Sequence, residues 1–195
     1  MSVTRDKAAL RRRALEGLRT MEAGERAGFS KELVRRLLEL PDLRAGHCLL
    51  AFAPLNTEPA IESGLETLRG RGLRLLLPRM GAEPGSLEVV EPDRSLEALP
   101  RDALGVRSPE TGALVPLEEI GTVLVPGLMF DTWGQRLGRG GGYYDRLLER
   151  LPAARLVGTC FERSVCERVP VESHDRPVDL LITERRRVDC RKRSS

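Results

Sequence analysis

The sequence predicts an α/β fold in which a mainly parallel sheet carries helices on both faces. Short apolar runs of strand length recur along the chain, such as TVLV at 122–125, and amphipathic segments of helix length separate them. Most of these runs end at proline or glycine, which stop strands and open turns. Strands that alternate with helices favour parallel pairing, because each crossover helix brings the chain back to the same edge of the sheet.

The N-terminal part predicts two helices followed by one βαβ unit. Helical periodicity marks the amphipathic segments, and short apolar runs such as HCLLAFA mark buried strands. Pro54 and Pro78 close these strands, because proline has no N–H for the hydrogen-bond ladder. In order, we expect helices over 4–19 and 23–40, a strand over 47–53, a helix over 59–71 and a strand over 73–77.

The middle of the chain interrupts this pattern and the C-terminal part resumes it. Residues 81–119 are rich in glycine, proline and acids, so we expect a mostly irregular excursion with a candidate strand at 87–90. After it we expect strands over 122–125, 155–159 and 180–183, and helices from about 142 to 151 and from 164 to 168. The basic C-terminus, from about 185, is expected to be a frayed tail.

Composition restricts the class of protein. The chain has 195 residues, enough for one domain with a buried core, and a formal charge of +3, which leans towards an anionic ligand without demanding nucleic acid. The four cysteines lack C-x-x-C spacing, which argues against a zinc site or a disulfide framework. No apolar run approaches the roughly 20 residues that cross a bilayer, and no signal-peptide core is present. We therefore expect a cytoplasmic protein.

The segment 136–145, RLGRGGGYYD, carries the strongest functional signal. Glycine costs roughly 0.5–1 kcal/mol in a helix or strand relative to alanine, so three consecutive glycines mark a place where the backbone approaches a ligand. Backbone N–H groups at the start of a helix bind anions, and Arg136 and Arg139 add positive charge. Neither the Walker A loop nor the dinucleotide fingerprint fits this string.

The longer string 125–147, VPGLMFDTWGQRLGRGGGYYDRL, closely resembles the signature of the 5-formyltetrahydrofolate cyclo-ligases. Further matches to that family are Lys7 with Arg11, Glu58 ahead of Pro78-Arg79, and the final set of His174-Asp175, Asp179 and Thr183. The resemblance covers nearly the whole chain. It implies a single domain over 1–195 with a three-layer αβα, Rossmann-like fold of the NagB/RpiA/CoA transferase-like type.

The resemblance implies an enzyme that uses ATP and Mg²⁺ to convert 5-formyltetrahydrofolate into 5,10-methenyltetrahydrofolate, with release of ADP and phosphate. A formamide oxygen is a poor leaving group, and phosphorylation of that oxygen would let the neighbouring folate nitrogen close the ring. Such a transfer depends on positioning and charge neutralisation. The implied partner is the folate, with or without a polyglutamate tail, bound by a monomer that needs no nucleic acid or membrane.

Residue roles follow from the same resemblance. Lys7 and Arg139 are the implied catalytic residues, and the implied nucleotide-binding set is Lys7, Arg11, Arg136, Leu137, Gly138, Arg139, Gly140, Gly141, Gly142, Tyr143 and Tyr144. The folate would meet Glu58, Ala53, Arg139 and Tyr143. Mg²⁺ prefers oxygen ligands, which makes Asp145 and Asp179 the candidate metal ligands.

Each of these roles has a structural alternative. Lys7 and Arg11 could form a solvated helix face, Asp145 could pair with Arg146, and Asp179 could cap a turn. Asp131 is expected to form a turn, and His174 to be a loop residue bonded to Asp175. Two positions depart from the family pattern: Ile61 replaces a threonine, and Ser108 replaces a glutamate before proline.

Two other functions remain open from the residues. The basic ends of the chain would suit a nucleic-acid-binding protein, although no base-stacking motif accompanies them. The same fold and glycine loop would also suit a sugar-phosphate isomerase or a module that binds phosphate without chemistry.

Overall fold

The computed structural model describes residues 3–102, 105–172 and 175–193. Four α-helices are present in these ranges, α1 (Val3–Arg19), α2 (Ala23–Leu38), α3 (Glu62–Gly70) and α4 (Tyr143–Glu149). The strands are β1 (Cys48–Leu50), β2 (Arg74–Met80), β3 (Leu87–Glu91), β4 (Ala113–Leu114), β5 (Thr122–Pro126), β6 (Met129–Asp131), β7 (Arg136–Leu137), β8 (Arg155–Thr159), β9 (Val165–Cys166), β10 (Leu180–Ile182) and β11 (Arg187–Asp189).

Eight of these strands form one sheet in the order β11-β10-β8-β5-β1-β2-β3-β4. The central strands from β10 to β2 pair in parallel, and β11 and β3 join them antiparallel. The predicted α/β class with a mainly parallel sheet is therefore confirmed.

Alternate residues of each central strand supply the two faces of the core. Leu49 packs with α2 and α3, whose Leu33 and Leu65 are fully buried. Leu50, the next residue, packs on the opposite face with Leu148 of α4. Each fully buried leucine contributes about 1.5–3 kcal/mol, so both helical layers hold the sheet in place.

A small sheet, in the order β7-β6-β9, sits beside the large one and leads into the glycine loop. The ring of Phe130 in β6 packs against Gly158 of β8. A side chain at position 158 would overlap with this ring. The next residue, Asp131, is fully buried, and its carboxylate accepts hydrogen bonds from the N–H groups of Trp133, Gln135 and Val169. Its expected role as a turn former is confirmed, and the bond to Val169 extends that role to a second segment.

Strands β1 and β2, helix α3 and the segment after β8 differ from their expected forms. β1 and α3 are shorter than expected, at Cys48–Leu50 and Glu62–Gly70. Strand β2 does not end at Pro78 but continues to Met80. Along a strand, successive N–H groups point alternately to the two neighbouring strands. The N–H that Pro78 lacks would point towards β1, which has already ended at this level, so no hydrogen bond to β3 is lost. The helix expected over 164–168 is wrong, because a 3₁₀ turn ends at Ser164 and β9 follows directly to pair with β6.

The frayed tail expected from about 185 is also wrong. Arg187–Asp189 form β11, which pairs antiparallel with β10. Val188 and Cys190 are buried, so two apolar side chains anchor this basic segment to the core.

Within the described residues, no helix combines the length and the apolar character that a membrane span requires.

Replacing Gly158 by alanine is expected to lower the free energy of unfolding by about 1–3 kcal/mol, because overpacking strains a filled core. The new methyl group would lie 2.7 Å from a ring carbon of Phe130. Urea unfolding measures the loss.

Gly28→Ala is the matched control for this substitution. Gly28 is exposed within α2 and an added methyl group meets nothing within 4 Å, so alanine is expected to stabilise the helix by about 0.5–1 kcal/mol. Wild-type stability in Gly158→Ala would contradict the packing of the small sheet on the large one.

Candidate active site

A cavity of about 230 Å³ opens at the carboxyl ends of β1, β2 and β5. β1 and β5 are neighbours, but the chain leads from β1 to β2 on one side and from β5 to β8 on the other. Ligands of open α/β sheets bind at such a reversal of strand order. The cavity therefore lies where the fold class predicts a binding site.

Most of the predicted site residues come together around this cavity. They arrive from two loops, one after β1 and one between β7 and α4. The cavity is lined by Ala53, Glu58, Arg136, Gly138, Arg139, Gly140, Gly141, Gly142, Tyr143, Tyr144 and Asp145.

Glu58 and Arg139 connect the two loops. The Glu58 side chain is buried, and its Oε2 accepts a hydrogen bond of 2.9 Å from the N–H of Leu55. Its Oε1 lies 3.5 Å from Nη2 of Arg139, which also donates to the hydroxyl of Thr57 at 2.6 Å. Burial raises the pKa of Glu58, while the Leu55 N–H and the Arg139 charge oppose that rise.

Two arginines hold the glycine loop through its carbonyl oxygens. Arg11 of α1 donates to the carbonyl of Gly138 at 2.9 Å, and Arg146 of α4 donates to the carbonyl of Gly141 at 2.9 Å. Gly140 and Gly142 have φ values of 101° and 67°, which side-chain-bearing residues rarely adopt. The loop therefore adopts a backbone conformation at these two positions that favours glycine.

Arg136 and Asp145 form an ion pair in the wall of the cavity. The side chain of Arg136 is nearly buried, at 7% exposure, whereas that of Asp145 retains 29%. The structural alternative for Asp145 named Arg146 as its partner, but the Arg146 guanidinium instead lies over the ring of Tyr143, 5.4 Å from its centroid. Asp145 therefore keeps one face open to the cavity.

Lys7 faces two carboxylates one helical turn before Arg11. Its ammonium group lies 2.8 Å from Oε2 of Glu172 and 2.6 Å from Oδ2 of Asp175. Burial alone would lower the pKa of Lys7, but hydrogen bonds and attraction from Asp175 and Glu172 outweigh it and raise that pKa. Lys7 is thus neither a solvated residue nor part of the cavity wall.

Asp179 and Leu137 lie away from the cavity. The carboxylate of Asp179 accepts a 2.8 Å hydrogen bond from the N–H of Leu156, at the amino ends of β8 and β10 and thus at the opposite edge of the sheet. The side chain of Leu137 is buried in β7. His174 lies outside the described residues, and Ile61 is fully buried in the core beneath α3.

The sequence did not assign Thr57 or Arg107 to the site. Thr57, beside the cavity, accepts a hydrogen bond from Arg139 with its hydroxyl. Arg107 and Ser108 line the cavity from the segment 81–119, which the sequence predicts to be mostly irregular. The position of Ser108, where the family pattern has a glutamate, was the one feature that pointed to this segment. The excursion closes one side of the cavity.

The described residues contain no cluster of three or more His, Cys, Asp or Glu side chains that could hold a metal alone. Asp145 nevertheless fits a magnesium ion of the kind that uses one or two carboxylates plus substrate phosphates, because it lines the cavity beside the glycine loop and its side chain is 29% exposed. Asp179 lies too far along the sheet to share that ion.

Comparisons with known proteins identify a family and several similar chains. The sequence profile of the 5-formyltetrahydrofolate cyclo-ligase family matches residues 3–184. A 5-formyltetrahydrofolate cyclo-ligase from Mycolicibacterium smegmatis is 32% identical over 188 residues, covering 93% of this chain and 95% of the relative. The solved structure of a 5,10-methenyltetrahydrofolate synthetase from Aquifex aeolicus is 31% identical with a TM-score of 0.81, covering 95% of this chain and 93% of that chain. A synthetase from Mycoplasma pneumoniae, 20% identical with a TM-score of 0.74, shares the fold over 92% of this chain and 99% of that chain.

Replacing Glu58 by glutamine is expected to remove a pH dependence of stability. The pKa of Glu58 is raised above its ordinary value of 4.5 in the folded protein, so the folded state binds this proton more tightly than the unfolded chain does. Wild-type stability therefore falls as pH rises from about 4.5 through the raised pKa, and the variant lacks this loss.

Urea unfolding of both proteins between about pH 4 and pH 7 measures the effect. The free energy of unfolding of Glu58→Gln, relative to that of the wild type, should increase as pH rises. Glu83→Gln, at an exposed position, serves as the control and should track the wild type. A difference that stays constant across this range would contradict the burial of Glu58.

Proposed function

Because the chain belongs to the 5-formyltetrahydrofolate cyclo-ligase family, we propose that it cyclises 5-formyltetrahydrofolate to 5,10-methenyltetrahydrofolate in this cavity, using ATP. The observation that carries the proposal is the position of Arg139. This arginine belongs to the glycine loop and lies 3.5 Å from the carboxylate of Glu58. One cation thus stands between a phosphate-binding backbone and a buried carboxylate.

Glu58 supplies the folate side of the proposed site. A carboxylate can accept two hydrogen bonds from the 2-amino group and N3–H of a pteridine ring. Leu55 and Arg139 occupy only part of the acceptor capacity of Glu58, since a carboxylate has about four lone-pair positions. Ala53 and Tyr143 line the same part of the cavity and would pack against the ring.

The glycine loop supplies the nucleotide side. Its bare backbone, with Arg136 and Arg139 in the cavity wall, would bind the ATP phosphates. Arg11 holds the loop from behind through the Gly138 carbonyl, which fixes the loop against α1. Lys7, now paired with Glu172 and Asp175, would reach the phosphates by exchanging these carboxylates for phosphate oxygens.

The proposed reaction has two steps, a phosphoryl transfer and a ring closure. The formyl oxygen attacks the γ-phosphorus of ATP, the bond to the ADP oxygen breaks, and the formyl carbon becomes iminium-like. The neighbouring folate nitrogen then forms the new C–N bond and loses its proton, and the C–O bond breaks to release phosphate. Positioning and charge neutralisation account for most of the acceleration of such transfers, and Arg139 provides both.

Mg²⁺ would neutralise charge on the phosphates, and Asp145 is the residue proposed to hold it. The remaining predictions from the sequence, which are a monomeric state, a cytoplasmic location and no nucleic-acid partner, stay predictions. A phosphate-binding module without chemistry would share the glycine loop but would not turn over ATP.

The direct test follows methenyltetrahydrofolate by its near-ultraviolet absorbance in the presence of 5-formyltetrahydrofolate, ATP and Mg²⁺. Arg139→Ala is expected to lower kcat by about 10²–10³, because a single preorganised charge donor is lost. Arg94→Ala, which removes an exposed arginine paired only locally with Asp93, is the control and should keep the wild-type rate. Folded wild-type protein without turnover would refute the proposed function.

Asp145→Asn is expected to raise the Mg²⁺ concentration for half-maximal rate by on the order of tenfold, because a neutral amide replaces a charged oxygen ligand. The amide oxygen can still accept from Arg136, so the wall of the cavity is kept. Titration of the rate with Mg²⁺ at saturating ATP measures the shift. An unchanged titration curve would remove Asp145 from the metal site.

A further inference from the structure

The hydroxyl group of Tyr144 is a buried polar atom with no hydrogen-bond partner among the described residues. Buried hydroxyl groups are nearly always paired, so an unpaired one calls for an explanation. Tyr144 lines the same cavity as Glu58 and Arg139. A ligand in that cavity is therefore the natural partner of this hydroxyl.

The protein fixes this hydroxyl in place. Tyr144 lies in the first turn of α4, two residues after Gly142, whose φ is 67°. Its ring packs against both core clusters, one on each face of the sheet. Burial and, next, the nearby charge of Glu58 raise the pKa of Tyr144, so the hydroxyl keeps its proton and can donate it in a hydrogen bond.

The polar edge of a pteridine ring supplies a matching acceptor. Along that edge the 2-amino group and N3–H are donors, and the 4-oxo group beside them is an acceptor. Glu58 accounts for the two donors in the proposed function, which leaves the 4-oxo oxygen in need of a donor. Tyr144 and Glu58 line the same cavity, and the charge of Glu58 contributes to the raised pKa of Tyr144.

We infer that the Tyr144 hydroxyl donates a hydrogen bond to the 4-oxo oxygen of the bound pteridine and so positions the folate ring. This inference rests on the proposed function. It assigns the hydroxyl of Tyr144 to the folate, whereas the family resemblance places the residue in the nucleotide loop.

Tyr144→Phe tests the inference, with 5-formyltetrahydrofolate, tetrahydrofolate under anaerobic conditions and a non-hydrolysable ATP analogue each titrated separately by calorimetry. The two folates should bind about tenfold to a hundredfold more weakly, because their 4-oxo oxygen is buried without a donor. The ATP analogue should bind as in the wild type. Thermal unfolding should occur at the wild-type temperature or higher, because the lost hydroxyl has no protein partner.

Thr159→Val is the matched control, since Thr159 carries another buried hydroxyl that has no hydrogen-bond partner in the described part of the chain and does not line the cavity. It should leave all three affinities unchanged. A loss confined to 5-formyltetrahydrofolate would place the hydroxyl at the formyl group, and a loss confined to the ATP analogue would place it at the nucleotide. Either result, or wild-type affinity for both folates, would overturn the inference.

Failure of the inference is distinguishable from failure of the proposed function. A wild-type protein that turns over 5-formyltetrahydrofolate, combined with unchanged folate affinity in Tyr144→Phe, rejects only the role of Tyr144. A folded wild-type protein that neither binds nor converts the folate rejects both.

Discussion

The reversal of strand order between β1 and β5 is the constraint on which the site depends. The two strands lie side by side, yet the chain departs from them in opposite directions, so their carboxyl ends flank a gap that no crossover covers. The loop carrying Glu58 enters this gap from β1, and the segment that leads to Arg139 enters it from β5. Two residues far apart in the sequence therefore meet at 3.5 Å.

The small sheet that precedes the glycine loop anchors the loop in the fold. Asp131 is fully buried and accepts three backbone hydrogen bonds, from Trp133, Gln135 and Val169, so its charge is stabilised and three points of the chain are tied together. Phe130 anchors the same strand on Gly158. The backbone freedom of Gly140 and Gly142 thus acts between a fixed small sheet and α4, which is the condition for precise placement of phosphates.

The sequence predicted the parts of the molecule that follow from local pattern. The helices and the parallel strands follow from periodicity. The resemblance to the cyclo-ligase family implied a site that includes Glu58 and Arg139, and the strand-order rule agrees with where these residues lie. Pairing between distant segments was not predictable in this way: β11 appeared to be a basic tail because its burial depends on two alternating residues, Val188 and Cys190. The prediction of Asp179 as a metal ligand failed for the same reason. Its position at the far end of the strands depends on the pairing of β8 with β10, which its sequence neighbours do not reveal.

Charged side chains at and near the site are paired with one another, and in the proposed function these pairs would exchange when two anionic substrates bind. Arg139 contacts Glu58, Arg136 contacts Asp145, and Lys7 contacts Glu172 and Asp175. In the proposed function the pteridine edge takes the carboxylate of Glu58, and phosphate oxygens take the guanidinium of Arg139. Glu58 competes with phosphate for Arg139, and Arg139 competes with the pteridine for Glu58. In the proposed function, binding of either substrate would therefore strengthen binding of the other by the same free energy. The contact with Arg139 also compensates the buried carboxylate of Glu58, because an isolated buried carboxylate would be costly.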